Sequence, residues 1–334
     1  MRFPLSLTTD LARYIVGKKF RGVEKFPLVM MLEPLHACNL TCTGCGRIRE
    51  YESTIRELVP VEQCLAAVDE CGAPIVSICG GEPMIYKDLG RLVEQLLQRR
   101  KHIYLCTNGM FIRKRIHEFR PSSRLFFNVH LDGMRRSHDL AVERDGVFDA
   151  AIDGIRCAKE YGFQVCTNTT VFMETDMNEI EAMFEYLKTL GVDGHMISPG
   201  YSYSAVQTKE IFLNREHIRD KFREIKRLAR RFPLNASPVY AEFLAGEREL
   251  MCTAWGNPTY NTKGWKGPCY LMTDAHHSTF SDLIEKTPWE KYGYGRDPRC
   301  EDCLVHCGYE ASAATGKNAR FGDTWKMFSW SLFG

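Results

Sequence analysis

The sequence predicts an α/β protein built on a parallel sheet, with a small irregular cysteine-containing module at its C-terminal end. Three observations carry this expectation. Six short apolar runs alternate with amphipathic segments between residues 28 and 232. That alternation stops after Pro233, where proline, glycine and aromatic residues crowd together. The chain also holds 14 cysteines, five of them at positions 252, 269, 300, 303 and 307. At roughly 150 residues per domain, a chain of 334 residues allows one large domain with an appendage, or two domains.

Residues 1–27 read as a weakly amphipathic N-terminal extension ending at Pro27. The strand candidates are 28–35, 74–79, 103–107, 125–131, 163–171 and 194–198, each a short apolar run. Helical spacing lies between them, near 60–71, 86–100, 111–119, 147–161, 178–190 and 214–232. In the first of these, Val61, Leu65, Ala67 and Val68 recur every three or four residues, and Gly72 supplies a stop. Such alternation implies parallel strands joined by right-handed crossovers over 28–232. Periodicity leaves open whether the sheet is doubly wound or curled into a partial barrel. Residues 233–334 form the second region, of a kind often held by a metal or docked on its neighbour.

Composition narrows the function classes. Lys and Arg number 44 against 42 Asp and Glu, so the chain lacks the basic excess of a nucleic-acid binder. No run of about 18 apolar residues occurs, which predicts no membrane span. The N-terminus lacks a small-residue cleavage site after an apolar core, so a cytoplasmic location is expected. Thiols stay reduced there, and clustered cysteines then point to metal or redox chemistry instead of disulfides. Cys64, Cys71 and Cys157 fall in helical patterns and are expected to be small core residues.

Cys38, Cys42 and Cys45 lie in HACNLTCTGC, directly after the first strand. Three thiolates on one loop can hold three irons of a [4Fe–4S] cluster and leave the fourth open to chelate a substrate. A zinc knuckle would need a fourth ligand, for which His36 is the near candidate. Gly80-Gly81-Glu82-Pro83 follows the second strand, where glycines permit close backbone approach and a carboxylate can receive an ammonium group.

The C-x3-C-x2-C loop followed one βα unit later by GGEP resembles the radical S-adenosylmethionine superfamily. That resemblance implies a (β/α)6 partial TIM barrel with a [4Fe–4S] cluster whose open iron takes the amino and carboxylate groups of S-adenosylmethionine. It also implies site positions at the strand ends: Gly80, Gly81, Glu82, Asn108, His130, Asp132, Asn168, Ser198 and Tyr201. One departure is Gly44, where the superfamily usually carries an aromatic residue before the third cysteine. The adenine contact from that position must then come from elsewhere.

EKFPLVMMLEPLHACNLTCTGCG, PVEQCLAAVDECGAPIVSICGGEP, VHLDGMRRSHD and CTAWGNPTYNTKGWKGPCYLM narrow the resemblance to the adenosylhopane synthases of hopanoid biosynthesis, over about residues 20–312. Those enzymes add the 5′-deoxyadenosyl radical to the alkene of diploptene, a hydrophobic triterpene, and draw electrons from a flavodoxin- or ferredoxin-type reductant. The tertiary carbon radical so formed needs one hydrogen atom. Alternate barrel residues point inward, so Cys106 shares the parity of Asn108 and is the first candidate for a thiol donor. Cys79, beside GGEP, is the second.

Cys300, Cys303 and Cys307, with Cys269 or Cys252, offer four ligands for an auxiliary iron–sulfur cluster; zinc or free thiols are the alternatives. The GWKGPC stretch ending at Cys269 resembles part of the SPASM/twitch modules, without their full cysteine set. Trp255, Tyr260, Trp265, Tyr270 and Phe280 are candidates for a substrate wall, or for the small module's core. The basic, amphipathic N-terminus suits peripheral contact with the inner face of a membrane. Hydrogen abstraction from another terpenoid, peptide or small molecule is the alternative chemistry. A non-catalytic iron–sulfur or zinc redox sensor is the alternative class.

Overall fold

The computed structural model describes residues 4–315 and 320–333. Its chain runs α1 (Leu5–Phe20), β1 (Val29–Leu32), α2 (Arg47–Glu50), α3 (Val61–Cys71), β2 (Ile75–Ile78), α4 (Leu89–Gln98), β3 (His102–Thr107) and α5 (Ile112–Arg115). There follow β4 (Leu125–His130), α6 (Arg135–Ala141), α7 (Val147–Glu160), β5 (Gln164–Val171), α8 (Met177–Thr189), β6 (Gly194–Pro199) and α9 (Arg215–Leu228). The C-terminal part adds α10 (Pro238–Leu244), β7 (Thr259–Asn261), β8 (Gly264–Pro268), β9 (Thr273–His277), α11 (Phe280–Lys286), α12 (His306–Thr315) and α13 (Asp323–Phe333). All six expected strands and all six expected helical segments are present, the third segment ending as a 3-10 turn.

Sheet order decides what periodicity could not. The strands run β6-β5-β4-β3-β2-β1-β7-β8-β9, with β1 to β6 parallel and in sequence order. A doubly wound sheet reverses direction at a switch point. None occurs here, and the six strands form the partial barrel of a radical SAM fold with the helices outside. Strand parity separates the two faces. Val76, Ile78, Ile103, Leu105, Phe127, Val129 and Val165 are buried against the helices. Ser77, Cys106 and Asn128 face inward with mutual contacts. Tyr104 and Phe126 stack at 5.0 Å one step lower on β3 and β4.

Each helix has a local cause. Gly72 takes φ +68° and ends α3, whose Cys64, Leu65 and Val68 are buried. Asp176 caps α8 by accepting from Asn178 N–H, and Asn214 caps α9 by accepting from His217 N–H. Cys64, Cys71 and Cys157 are core residues. The N-terminal extension forms a full helix at the foot of the barrel, where Asp10 meets His102 at 3.1 Å and Arg124 at 2.8 Å.

The region after Pro233 is less irregular than its composition suggests. β7 pairs in parallel with β1, and β8 and β9 continue the sheet antiparallel. Sheet growth onto an open barrel edge is a tertiary event that leaves little trace in three-residue strands. The aromatic stretch is correspondingly structural: Trp265 is fully buried, donates from Nε1 to Glu70 at 3.0 Å, and packs on Tyr260 and Phe280. Of the five aromatics proposed as a wall, Tyr270 reaches the central cavity.

Candidate functional site

The cysteine loop crosses the C-terminal mouth of the barrel, the usual place for chemistry in parallel barrels. Cys38, Cys42 and Cys45 line one cavity of about 310 Å³. The same cavity is bounded by Cys79, Gly80, Gly81, Glu82, Cys106, Asn108, His130, Asp132, Asn168, Ser198 and Tyr201. Five strand ends thus meet the loop at one point.

Arg49 holds the loop in shape, donating to the carbonyls of Cys42 at 3.0 Å and Cys45 at 2.5 Å. Leu40 N–H points at Cys38 Sγ, 3.4 Å away. Burial pushes the Cys38 thiol up to about 12 and raises that of Cys42 as well. A thiolate at either position therefore needs a compensating positive centre, which an iron–sulfur cluster supplies. Among the described residues no three Cys, His, Asp or Glu side chains converge as one ion would require. A polynuclear cluster spreads its thiolates more widely, so the donor set fits a cluster better than a zinc knuckle. The residues fit S-adenosylmethionine too, through a polar rim above an enclosed floor.

The two glycines act differently from expectation. A Cβ at Gly81 would lie 2.0 Å from the Ala37 carbonyl oxygen, and one at Gly80 would lie 2.3 Å from that of Leu35. Their bareness lets the GGEP turn pack on the cysteine loop itself. Gly81 and Glu82 N–H groups bond Leu35 and Ala37 at 3.0 and 2.9 Å. Glu82 is buried; Oε1 accepts from Met84 N–H and the Thr107 hydroxyl, while Oε2 accepts from Asn108 N–H at 2.8 Å. Oε2 keeps a lone pair for an ammonium group.

Asn108 donates to Asn39 at 2.8 Å and so braces the loop between two cysteines. His130 and Asp132 pair at 2.9 Å. Burial would lower the His130 pKa, but Asp132 outweighs it and the ring titrates above its usual value. Asp132 also accepts from Thr170 N–H at 2.7 Å, fixing its carboxylate.

Cys106 sits lower, 3.3 Å from Ser77 Oγ and 3.6 Å from Asn128 Nδ2. Burial raises its pKa, so it stays a thiol. Cys79 is more deeply buried, with a pKa raised well above the usual thiol value by the same cause. Asn128 was missed at the sequence level although it shares parity with His130 in LFFNVH.

Cys269, Cys300, Cys303 and Cys307 pack into one cluster beside Tyr201 and Tyr203. Cys252 joins them: a Cβ at Gly308 would stand 2.4 Å from its Sγ. None of the five is in a disulfide. Tyr201 and Tyr203 also line the central cavity, so the two cysteine groups border one another across these rings.

No spacing in the sequence marks the network joining them. Glu33, Arg47 and Lys266 are buried together; Arg47 donates to the Tyr270 carbonyl at 2.6 Å, and Lys266 reaches Glu50 at 3.3 Å. Ion partners so far apart in the chain carry no shared spacing. A second cavity of about 490 Å³ adjoins the first, sharing Gly200, Tyr201, Tyr203 and Leu271.

Comparison with known proteins agrees with this geometry. Residues 32–187 match the radical SAM superfamily, and residues 195–327 match a domain of unknown function, DUF3463. A GTP 3′,8-cyclase from Nautilia profundicola is 23% identical over 72% of this chain and 80% of its own. The Fe-coproporphyrin III synthase of Methanosarcina barkeri is 28% identical over 49% of this chain, which spans 42% of that enzyme. Among solved structures, Streptococcus suis SuiB superimposes with a TM-score of 0.67 at 16% identity, covering 92% of this chain and 78% of SuiB. The enzyme anSMEcpe with bound AdoMet and a peptide gives a TM-score of 0.56 at 14% identity, over 92% and 97% of the two chains.

Proposed function

We propose that this chain, whose residues 32–187 match the radical SAM superfamily, is a radical SAM enzyme using a [4Fe–4S] cluster and S-adenosylmethionine, and that it joins the 5′-deoxyadenosyl group to the terminal alkene of diploptene, giving adenosylhopane. The observation that carries this reading is Cys106, a half-buried thiol on the floor of the cavity whose rim holds Cys38, Cys42 and Cys45. Addition, unlike simple abstraction, leaves a carbon radical on product that needs such a donor. The sequence likeness to adenosylhopane synthases over about residues 20–312 supports it further.

When bound, the cluster and S-adenosylmethionine supply the 5′-deoxyadenosyl radical. The chain's own residues do the rest. Cys38, Cys42 and Cys45 would hold three irons of the cluster. Glu82 Oε2 and the His130–Asp132 pair orient the polar groups of the nucleoside and methionine moieties. Tyr201, Tyr203, Tyr270 and Leu271 wall the mouth and exclude water from a hydrocarbon. At Cys106 the S–H bond breaks as a C–H bond forms on the tertiary carbon. One electron from a flavodoxin- or ferredoxin-type reductant and one proton restore the thiol.

The same proposal assigns Cys269, Cys300, Cys303 and Cys307 to a second iron–sulfur cluster, on the strength of their packing together. It places α1 at a membrane surface, because Val16 and Phe20 are exposed beside Lys18 and Lys19. Liposome flotation that leaves the protein wholly in solution removes the membrane assignment. No helix among the described residues is long and apolar enough to cross a membrane.

Hydrogen abstraction from a polar substrate is the second reading, favoured by Lys209, Arg299 and Asp302 around the outer cavity. Anaerobic turnover with diploptene separates the two. An adenosyl adduct by mass supports addition; free 5′-deoxyadenosine with no adduct overturns it.

A further inference from the structure

We propose that Asn128, together with Ser77, is a positioning residue that aims the Cys106 thiol at one face of the product radical and so decides the configuration of the new stereocentre. This role rests on the addition reading, in which Cys106 is the hydrogen donor. Three adjacent strands supply the parts. Cys106 on β3 lies in register with Asn128 on β4. Its Sγ is 3.6 Å from Asn128 Nδ2 and 3.3 Å from Ser77 Oγ on β2. Both partners are buried. Cys106 and Asn128 line the central cavity, with Ser77 behind them.

The amide can turn just one end to sulfur here. Asn128 Nδ2 also lies 3.4 Å from Met196 Sδ on β6. A thioether has no hydrogen to give, so Nδ2 and not Oδ1 must face it. Both amide hydrogens are then committed to sulfur, one to Met196 and one to Cys106. The consequence is visible at the other end: Asn128 Oδ1 is buried with no hydrogen-bond partner among the described residues. Buried oxygens are rarely left so. The side chain is locked between β3 and β6, and it cannot rotate without giving up two bonds.

Sulfur geometry turns that lock into a direction. A thiol sulfur carries lone pairs and one S–H bond, spread apart in space. Asn128 donates to sulfur from the β4 side, and the Ser77 hydroxyl meets it from the β2 side. The S–H bond is left the remaining direction, into the cavity. A thiol without such partners swings between rotamers and presents its hydrogen over a wide arc. Burial raises the Cys106 pKa, and Ser77 and Asn128 pull it part of the way back. The substrate makes direction matter. The tertiary carbon of the diploptene radical carries a ring carbon, a methyl group and the adenosyl-bearing CH2. The face that receives the hydrogen atom therefore fixes its configuration. As that C–H bond forms the S–H bond breaks, and the thiyl radical left on Cys106 takes up one electron from the reductant and one proton.

The test is anaerobic turnover of reconstituted enzyme with diploptene, reading saturated adduct per methionine released and the ratio of its two epimers. Each methionine marks one radical formed, so the quotient follows the quench and not the overall rate. In Asn128→Leu the quotient falls about 2- to 13-fold, the equivalent of one hydrogen bond of roughly 0.5–1.5 kcal/mol, and the minor epimer rises by a like factor. Ser77→Ala moves both readouts the same way. Ser77→Thr, which keeps the hydroxyl, holds them within about twofold of parent. Alkylation of Cys106 by iodoacetamide in the reconstituted protein, mapped by peptide mass, slows in Asn128→Leu because the thiol pKa rises further. Should Asn128→Leu fail to assemble its cluster, Asn128→Val, β-branched and suited to a strand, takes its place with the same expectations. Parent enzyme that makes no adduct overturns the addition reading, and this role with it. Parent adduct with quotient and epimer ratio unchanged in both Asn128→Leu and Ser77→Ala overturns the positioning role alone. So does an equal loss of adduct and methionine, which a merely structural asparagine would produce, or an unchanged alkylation rate in Asn128→Leu.

Discussion

Glu33 and Arg47 form an ion pair of 3.1 Å between Oε1 and Nε, with side chains 0% and 4% exposed, across the entry to and exit from the cysteine loop. The contact lies off the linear hydrogen-bond direction, and His36, Glu50 and Asn261 complete its surroundings. It closes the loop that carries Cys38, Cys42 and Cys45.

Arg47→Met strands the Glu33 carboxylate in the interior, an uncompensated charge that costs about 3–5 kcal/mol. Chemical denaturation should show that loss. Burial would raise the Glu33 pKa, but Arg47 first and His36 next hold it down at about 2. Because the folded value lies below the unfolded one, the pair's contribution is present above about pH 4.5 and fades as pH falls toward 2. Parent and Arg47→Met stabilities should therefore converge in acid; a constant difference down to pH 2 contradicts the assignment.

Lys266 is also shifted downward, but there the shift disfavours the charged form. Burial, and then the charge of Arg47, lower its pKa to about 8 against an ordinary 10.5. Between those values the unfolded chain holds a proton that the folded chain has released. Stability should rise with pH over that window, by at most about 1.4 kcal/mol per unit. Lys266→Met removes this slope, measured as the parent-minus-variant difference in denaturation midpoints. A difference that does not change between pH 8 and 10.5 argues against a shifted lysine.

Turnover in heavy water labels the hydrogen donor. The Cys106 thiol exchanges, so the saturated adduct should carry one deuterium at the tertiary carbon. In Cys106→Ala saturated adduct should fall to about a tenth or less, a barrier increase of at least roughly 1.4 kcal/mol. Cys79→Ala should keep its yield. Normal saturated product from Cys106→Ala, or deuterium lost with Cys79→Ala instead, moves the role away from Cys106.

Iron and sulfide content separates the two cysteine groups. Alanine at Cys38, Cys42 and Cys45 together should leave iron and sulfide on the chain, held by Cys269, Cys300, Cys303 and Cys307. Zero residual iron rules the second cluster out.

What the sequence determined by itself was the repeating βα order and which strand-end residues face one cavity. Residues that face one cavity from a parallel strand must alternate, so Cys106 with Asn108, and His130 with Asp132, were legible from parity alone. The cysteine spacing was legible because three cysteines on one loop are local in the chain. Only the tertiary structure decided the rest, and the reason is distance along the chain. The order β6 to β1 and then β7 depends on an open barrel edge that no single segment describes. Lys266 is buried because the sheet brings Glu50 and Glu33 around it, residues far from it in the chain. Gly80 and Gly81 read as room for a ligand, whereas the Leu35 and Ala37 carbonyls occupy that room. Gly44 reads as a missing side chain, and only folding shows the Phe172 ring, 128 positions later, standing in its place.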